Sequence, residues 1–348
     1  MIKINRIKKE VENMKLDRNL ALSLVRVTEI ASLAAAKYMG RGDKIGADGA
    51  AVDGMRSAFN LAEVKGTVVI GEGEKDKAPM LFIGEEIGAG TDESIEVDIA
   101  VDPLDGTTLV AKGLPNAIAV IAMAPKGCLL HAPDTYMEKI VVGPKAKGKI
   151  SLEASVEENL TAVAKALNKE ISDLTVTIQD RPRHFDLIRE IREIGARIKL
   201  FGEGDVAAAL ATGFDDTGID ILMGIGGAPE GVITAAAIKA MGGDMVGRLN
   251  VRSDEELGRC RDLNLTDEDI DKILSLDDLV KGDEAFFSAT GISDGDLLKG
   301  VVYKGNNVAT THSVVMRSKT GTIRFVEAVH KLDKNDILIN LMNKHGEA

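Results

Sequence analysis

Between residues 95 and 102, Ile95, Val97, Ile99 and Val101 alternate with Glu96, Asp98, Ala100 and Asp102. A period of two predicts a half-buried strand, and this one ends in an acid. The chain then reads Asp102-Pro103-Leu104-Asp105-Gly106-Thr107-Thr108. Proline has no N–H to donate, so Pro103 is expected to end the ladder. Asp105 and the residues after it read as the capped start of a short helix, whose free N–H groups point at an anion. Two carboxylates and two hydroxyls around one chain reversal suit metal-assisted phosphate chemistry. They describe equally well an N-capped turn with its acids in solvent.

At 348 residues the chain can bury a large core, in two domains or one large layered domain. No apolar run reaches membrane-spanning length, and residues 1–14 are charged with no signal-like apolar stretch behind them. The expectation is a cytoplasmic protein without a membrane partner. A net charge of −12 argues against a nucleic-acid partner, which needs a basic face. That charge suits a protein that collects divalent cations, although a solvated acidic surface is equally ordinary. Cys128 and Cys260 are too few and too isolated for a disulfide framework or zinc cluster, and the five histidines, His131 and His184 among them, show no zinc spacing.

Residues 17–39 read as a helix stopped by Gly40, with the next helix starting near Asp48. Residues 66–70 form a short strand leading into Gly71-Glu72-Gly73-Glu74, and strands follow at 116–124 and 139–142. From Leu174 strands and helices alternate: 174–178, a loop with Arg181, Pro182, Arg183 and His184, a helix through Ile194, 197–201, an Ala-rich helix, 219–225, and another helix. The expected class is α/β (α+β), in two halves at 17–172 and 173–348, with residues 1–16 as an N-terminal extension. Ligand loops in such sheets lie beyond the strand ends. Residues 251–282 are highly charged, with one short helix expected near 267–274.

Glu72, Glu74, Asp102, Asp105 and Glu230 stand at strand-to-loop junctions, with Asp48 and Asp76 nearby in sequence. Converging acids raise each other's pKa unless a cation compensates them. Hard oxygen donors with few histidines favour Mg²⁺ or Mn²⁺ over zinc. Arg181, Arg183 and Lys44 are the candidate phosphate partners, because a guanidinium fork matches phosphate oxygens; surface ion pairs are the alternative for each. Two nucleotide motifs fail: residues 143–149 start like a P-loop but put Ile150 where a Ser or Thr must bind Mg²⁺, and 224–229 places Pro229 at the third glycine. Residues 202–207 do fit G-x-G-x-x-A between a strand and a helix, and so offer a rival dinucleotide site, although Glu203 and Asp205 would sit beside the pyrophosphate.

Taken together, residues 25–29, 40–44, 47–51, 70–74, 101–107, 132–134 with Tyr136 and Met137, 224–231 and 287–291 resemble the class II fructose-1,6-bisphosphatases of bacteria. These lie within the metal-dependent, lithium-sensitive sugar and inositol phosphatases. The resemblance implies a layered α/β/α/β/α fold with the active site between its halves, and hydrolysis of the 1-phosphate of fructose 1,6-bisphosphate in gluconeogenesis. It puts Asp48, Glu72, Asp102, Asp105 and Glu230 on metal-ligand positions for Mn²⁺ or Mg²⁺. Asp105, Gly106, Thr107, Tyr136, Arg181, Pro182, Arg183, Glu203, Gly204, Asp205 and Gly227 fall on substrate positions. Thr107, with Asp105 or Glu74 behind it, would orient or deprotonate the attacking water, and Lys44 and Asp76 would assist. Many relatives carry Glu where this chain has Asp105, and Glu203 stands where a relative can have Asp. A homodimer or homotetramer is expected by the same resemblance. The alternatives are a sedoheptulose-1,7-bisphosphatase or dual activity, an inositol monophosphatase, and a silent sugar-phosphate binder. Residues 1–16 are expected to be a disordered or helix-extending tail, with Met14 as an alternative start.

Overall fold

The computed structural model describes residues 19–73, 80–91 and 94–345. The expected tail, Glu74 and Asp76 lie outside the described residues. In chain order come helices α1 (Leu20–Ala35) and α2 (Lys44–Phe59), strands β1 (Lys65–Ile70), β2 (Glu86–Ile87) and β3 (Glu96–Asp105), helix α3 (Thr107–Lys112), and strands β4 (Ile118–Pro125) and β5 (Tyr136–Val142). Next are α4 (Val156–Leu167), β6 (Thr175–Gln179), α5 (Phe185–Ile194), β7 (Arg197–Phe201), α6 (Asp205–Leu210), β8 (Ile221–Gly227), α7 (Ala228–Met241) and β9 (Asp244–Asn250). The remainder is α8 (Asp254–Asp262), α9 (Asp267–Asp271), β10 (Leu274–Ser275), α10 (Leu276–Leu279), β11 (Phe286–Gly291), β12 (Val302–Gly305), β13 (Val308–Arg317), β14 (Thr322–Lys331) and α11 (Asp336–His345).

Two sheets carry the chain. The first is ordered β12-β13-β11-β4-β3-β1-β2, with β14 on β13; the second is ordered β10-β9-β5-β8-β6-β7. Strand periodicity sorts side chains to their faces. On β3 and β4, Val97, Ile99, Val101, Ala119, Ile121 and Met123 face one core with α1 and α2, while Ala100, Val120, Ala122 and Ala124 face a second core with α7. The second sheet turns Met137, Val141 and Leu222 to α7, and Ile140, Val142, Ile221 and Met223 to a third core under α4 and α5. Five layers result, helix, sheet, helix, sheet, helix, as the resemblance implies. The central helix α7 is apolar nearly all round because both sheets cover it.

Several local readings change. β3 is buried on both faces rather than half-buried, since it lies between β1 and β4 under helices on either side. It also runs through Pro103: from Asp102↔Val120 to Asp105↔Ile118 the register gains one residue on β3, and a bulge tolerates a residue without an N–H. The carboxylate of Asp102 takes the Leu104 N–H at 3.0 Å inside that bulge. Asp105 does not cap α3; Gly106 does so at φ 106°, a left-handed conformation that suits glycine. α2 begins at Lys44 rather than near Asp48, because the Asp43 side chain accepts the Gly46 N–H. The charged stretch after Val251 holds three short helices, each started by a Ser or Thr cap.

Candidate active site

β6, β7 and β8 run parallel, so their carboxyl ends release three loops on the same side of the second sheet. Tyr136 at the start of β5 pairs with Gly227 and with Asn250, which brings the end of β9 to that side too. Across from them the β3 bulge and Gly106 deliver Asp102, Asp105 and Thr107. Between lies a cleft of about 590 Å³ lined by these residues and by Tyr136, Arg181, Arg183, Glu203, Gly204, Asp205, Gly227 and Glu230. A second cavity of about 290 Å³ shares Asp102, Asp134 and Glu230 with it and adds Glu72. Pro182 starts the single turn that carries Arg183. Asp48, half-buried on α2, lines neither cavity, but its charge acts on Glu72.

The electrostatics of the acidic wall are those of crowded, buried like charges. Burial, then Asp105, Glu230 and Glu72, hold the Asp102 carboxyl well above the usual range. Burial, then Glu230 and Asp205, push Asp105 up to about 8. Burial and Asp48 push Glu72 up to about 7, and burial raises Asp48 and Glu230. Buried Lys139 opposes the rise at Asp105 and Glu230; it pairs with Asp205 and donates to the Gly227 carbonyl at 3.0 Å. Glu230 Oε2 is buried without a hydrogen-bond partner. Hard oxygen donors, an orphaned carboxylate oxygen and surplus buried negative charge fit a divalent cation in kind. Among the described residues no three carboxylate, imidazole or thiol groups are drawn together as a closed ligand set.

The facing wall is cationic. Arg183 donates from Nε and Nη2 to the Ile225 carbonyl at 3.0 and 2.9 Å, and its Nη2 also reaches Gln179. Its guanidinium lies 5.0 Å from the Tyr136 ring and that of Arg252 lies 3.3 Å from it. Burial, with Arg252 and Arg181 nearby, lowers the pKa of Arg183, opposed by Tyr136 and Asp205. Arg181 is 3.8 Å from Glu203, whose other oxygen takes the Thr108 N–H at 3.0 Å. That N–H is therefore not free for an anion, as the sequence suggested, and α3 has only six residues. Lys44 donates to Thr108 Oγ1 at 2.6 Å from an exposed position outside the cleft lining. Asp105 accepts the Val206 N–H at 3.2 Å, which ties the first sheet to α6. In the G-x-G-x-x-A loop the Val206 N–H is thus taken by Asp105, while Glu203 and Asp205 are engaged by Thr108 and Lys139.

The model of the family described as bacterial fructose-1,6-bisphosphatase, glpX-encoded, matches residues 18–330. The chain belongs to this family. Relatives include fructose-1,6-bisphosphatase 1 class 2 of Escherichia coli K12 and fructose-1,6-bisphosphatase class 2 of Shigella flexneri. Each is 49% identical over 332 residues, covering 92% of this chain and 97% of the relative. Among solved structures, the extragenic suppressor protein suhB of Bartonella henselae is 17% identical, covering 57% of this chain and 74% of its own, with a TM-score of 0.32. An IMPase of Thermotoga maritima is 15% identical, covering 64% and 83%, at 0.32.

Within this family member the cleft contains residues the sequence did not single out. Arg259, beside Asp134 at 3.1 Å, and Glu256, which accepts from Thr135 at 3.1 Å, line it, with Arg252 behind Tyr136. All three fall in the charged stretch that offered no periodicity. Lys139 had a signal, a lone cation within the apolar strand β5.

Proposed function

We propose that this fructose-1,6-bisphosphatase family member hydrolyses the 1-phosphate of fructose 1,6-bisphosphate, giving fructose 6-phosphate and phosphate, as a cytoplasmic enzyme of gluconeogenesis. It is a phosphoric monoester hydrolase. The observation that carries the site reading is one cleft with buried, mutually repelling carboxylates on one wall and Arg181 and Arg183 on the other, with Arg252 behind them across the Tyr136 ring. A substrate with two phosphates offers one to each wall.

On this reading Asp48, Glu72, Asp102, Asp105 and Glu230 hold Mg²⁺ or Mn²⁺, which when bound lowers the pKa of water and neutralises charge on the phosphoryl oxygens. Thr107, at the rim of the acidic wall, orients the attacking water and passes its proton to a carboxylate, Asp105 or, by the resemblance alone, Glu74, since a hydroxyl relays a proton only with a base behind it. Gly106 lines the cleft between Asp105 and Thr107, where its backbone meets the phosphate. Arg183, fixed by the Ile225 carbonyl and Tyr136, presents its remaining guanidinium edge to the second phosphate, with Arg181 beside it. Glu203, Gly204, Asp205 and Gly227 line the sugar. Lys139 holds Asp205 in place from below. Self-association as a homodimer or homotetramer belongs to the same proposal and rests on the resemblance alone.

The test is phosphate release by metal-stripped protein with Mg²⁺ or Mn²⁺ restored, using fructose 1,6-bisphosphate, sedoheptulose 1,7-bisphosphate and inositol 1-phosphate in parallel. Metal-dependent release strongest on the fructose substrate is expected. Release strongest on another substrate would reassign the specificity. No release from folded protein with either metal would sink the reading.

A further inference from the structure

A third cavity, of about 290 Å³, opens on the outer helical layer, between α1 and its 3₁₀ extension (Ala36–Tyr38), α2, Tyr303 of β12 and α11. Its floor is aliphatic: Leu33, Leu332, Leu338 and Leu341 are buried there. Its rim is cationic. Lys37 Nζ sits 4.0 Å above the Tyr303 ring, Arg41 follows one turn on, and the Tyr38 hydroxyl lies 3.5 Å from His345 Nδ1. Of the carboxylates nearby, Asp53 is engaged by His345 at 2.7 Å and by Lys344 at 2.5 Å, and Asp43 accepts the Gly46 N–H at 2.8 Å. Neither Lys37 nor Arg41 has an ion-pair partner among the described residues. Burial and the Arg41 charge lower the pKa of Lys37, the condition of a cation short of a counter-charge.

An apolar floor under two cations that have no ion-pair partner among the described residues suits a ligand with an apolar body and an anionic head. The rim is also wired to the cleft. Gly40 and Gly42, on either side of Arg41, donate to the carbonyls of Val110 and Ala111 in α3, both at 2.9 Å. Two residues later Lys44 donates to Thr108 of the same helix. Thr107 is the first residue of that helix.

We infer that this cavity is an effector site for a small amphipathic phosphate monoester: its head is held by Lys37 and Arg41, its apolar ring rests on the leucine floor, and its binding alters turnover through the 40–44 segment and α3. The coupling rests on the reading of Thr107 given above; the binding does not.

The probe is phenylphosphonate, which cannot be hydrolysed, with inorganic phosphate as the head alone and benzyl alcohol as the ring alone. Titration calorimetry on the full chain should show one phenylphosphonate per chain, in wild type and in Arg183→Ala alike. Lys37→Gln and Arg41→Gln should each weaken it by about tenfold, the loss expected of a hydrogen bond to a charged group. Phenylphosphonate should change the kcat or KM of wild type saturably and leave those of Lys37→Gln, whose basal rate is normal, untouched. Absence of binding, loss of binding in Arg183→Ala, inorganic phosphate binding equally well, or binding without any change in turnover would each overturn the inference. Heat and phosphate release are read separately, so failure of the effector site is distinguishable from failure of the catalytic reading.

Discussion

Thr107 stands where the β3 bulge ends and α3 begins, two residues beyond Asp105. Its neighbour Thr108 is fully engaged, donating its N–H to Glu203 and accepting from Lys44. The two hydroxyls that look equivalent in sequence therefore have different duties, and only Thr107 lines the cleft. If it positions the attacking water, its contribution appears in the transition state and not in substrate binding. Thr107→Ala is expected to lower kcat by about 10²-fold or more, the range of a lost proton-transfer group, with KM changed by less than about threefold. Steady-state kinetics on fructose 1,6-bisphosphate check this; a near-normal kcat, or a loss carried by KM, would sink the assignment.

At the scale of elements, legibility followed local physics. Elements such as β1, β7, α1 and α5 sit close to where the sequence put them, because each is set by a continuous local run of strand or helix formers between turn signals. The bulge at Pro103 and the assignment of β11 to β14 to the first sheet were not legible, since both depend on pairing with strands far away in the chain. The acidic set was legible as residue types at loop positions; the Arg252 and Arg259 side of the cleft was not, because exposed charge looks alike whether or not it faces a ligand. α1 carries a further element-scale consequence. Glu29, inside its buried face, accepts from Thr311 at 3.2 Å and lies 3.9 Å from His330; burial pushes its pKa up to about 7 against Thr311 and Arg26. The folded protein thus keeps a proton on Glu29 that the unfolded chain releases near pH 4.5. Its contribution to stability is best at low pH and is lost as pH rises from about 4.5 through 7, by about 3 kcal/mol when 2.5 units are converted. Glu29→Gln should leave stability near pH 4.5 unchanged and raise it at pH 8 relative to wild type. Urea unfolding at the two pH values measures it, and an equal effect at both would refute the assignment.

For the whole molecule, the five layers place surplus negative charge where the two sheets meet. Val206 donating to Asp105, Thr108 donating to Glu203 and Lys139 bracing Asp205 cross or support that seam. Without a cation the seam holds carboxylates that repel, Glu230 with one oxygen unpartnered. A ligand that binds only the folded state stabilises it by about 2.7 kcal/mol at a hundred times its dissociation constant. Mn²⁺ is therefore expected to raise Tm by several degrees over chelator-treated protein, in a calorimetric scan that needs no turnover. Glu230→Gln makes the prediction two-sided. Removing a buried like charge should stabilise the metal-free protein or leave it unchanged, whereas removing a metal donor should shrink the Mn²⁺-dependent rise. A purely structural Glu230 predicts the opposite pair, a destabilised metal-free protein with an undiminished response. The two scans together therefore decide whether the acids at the seam are cation donors or part of the scaffold.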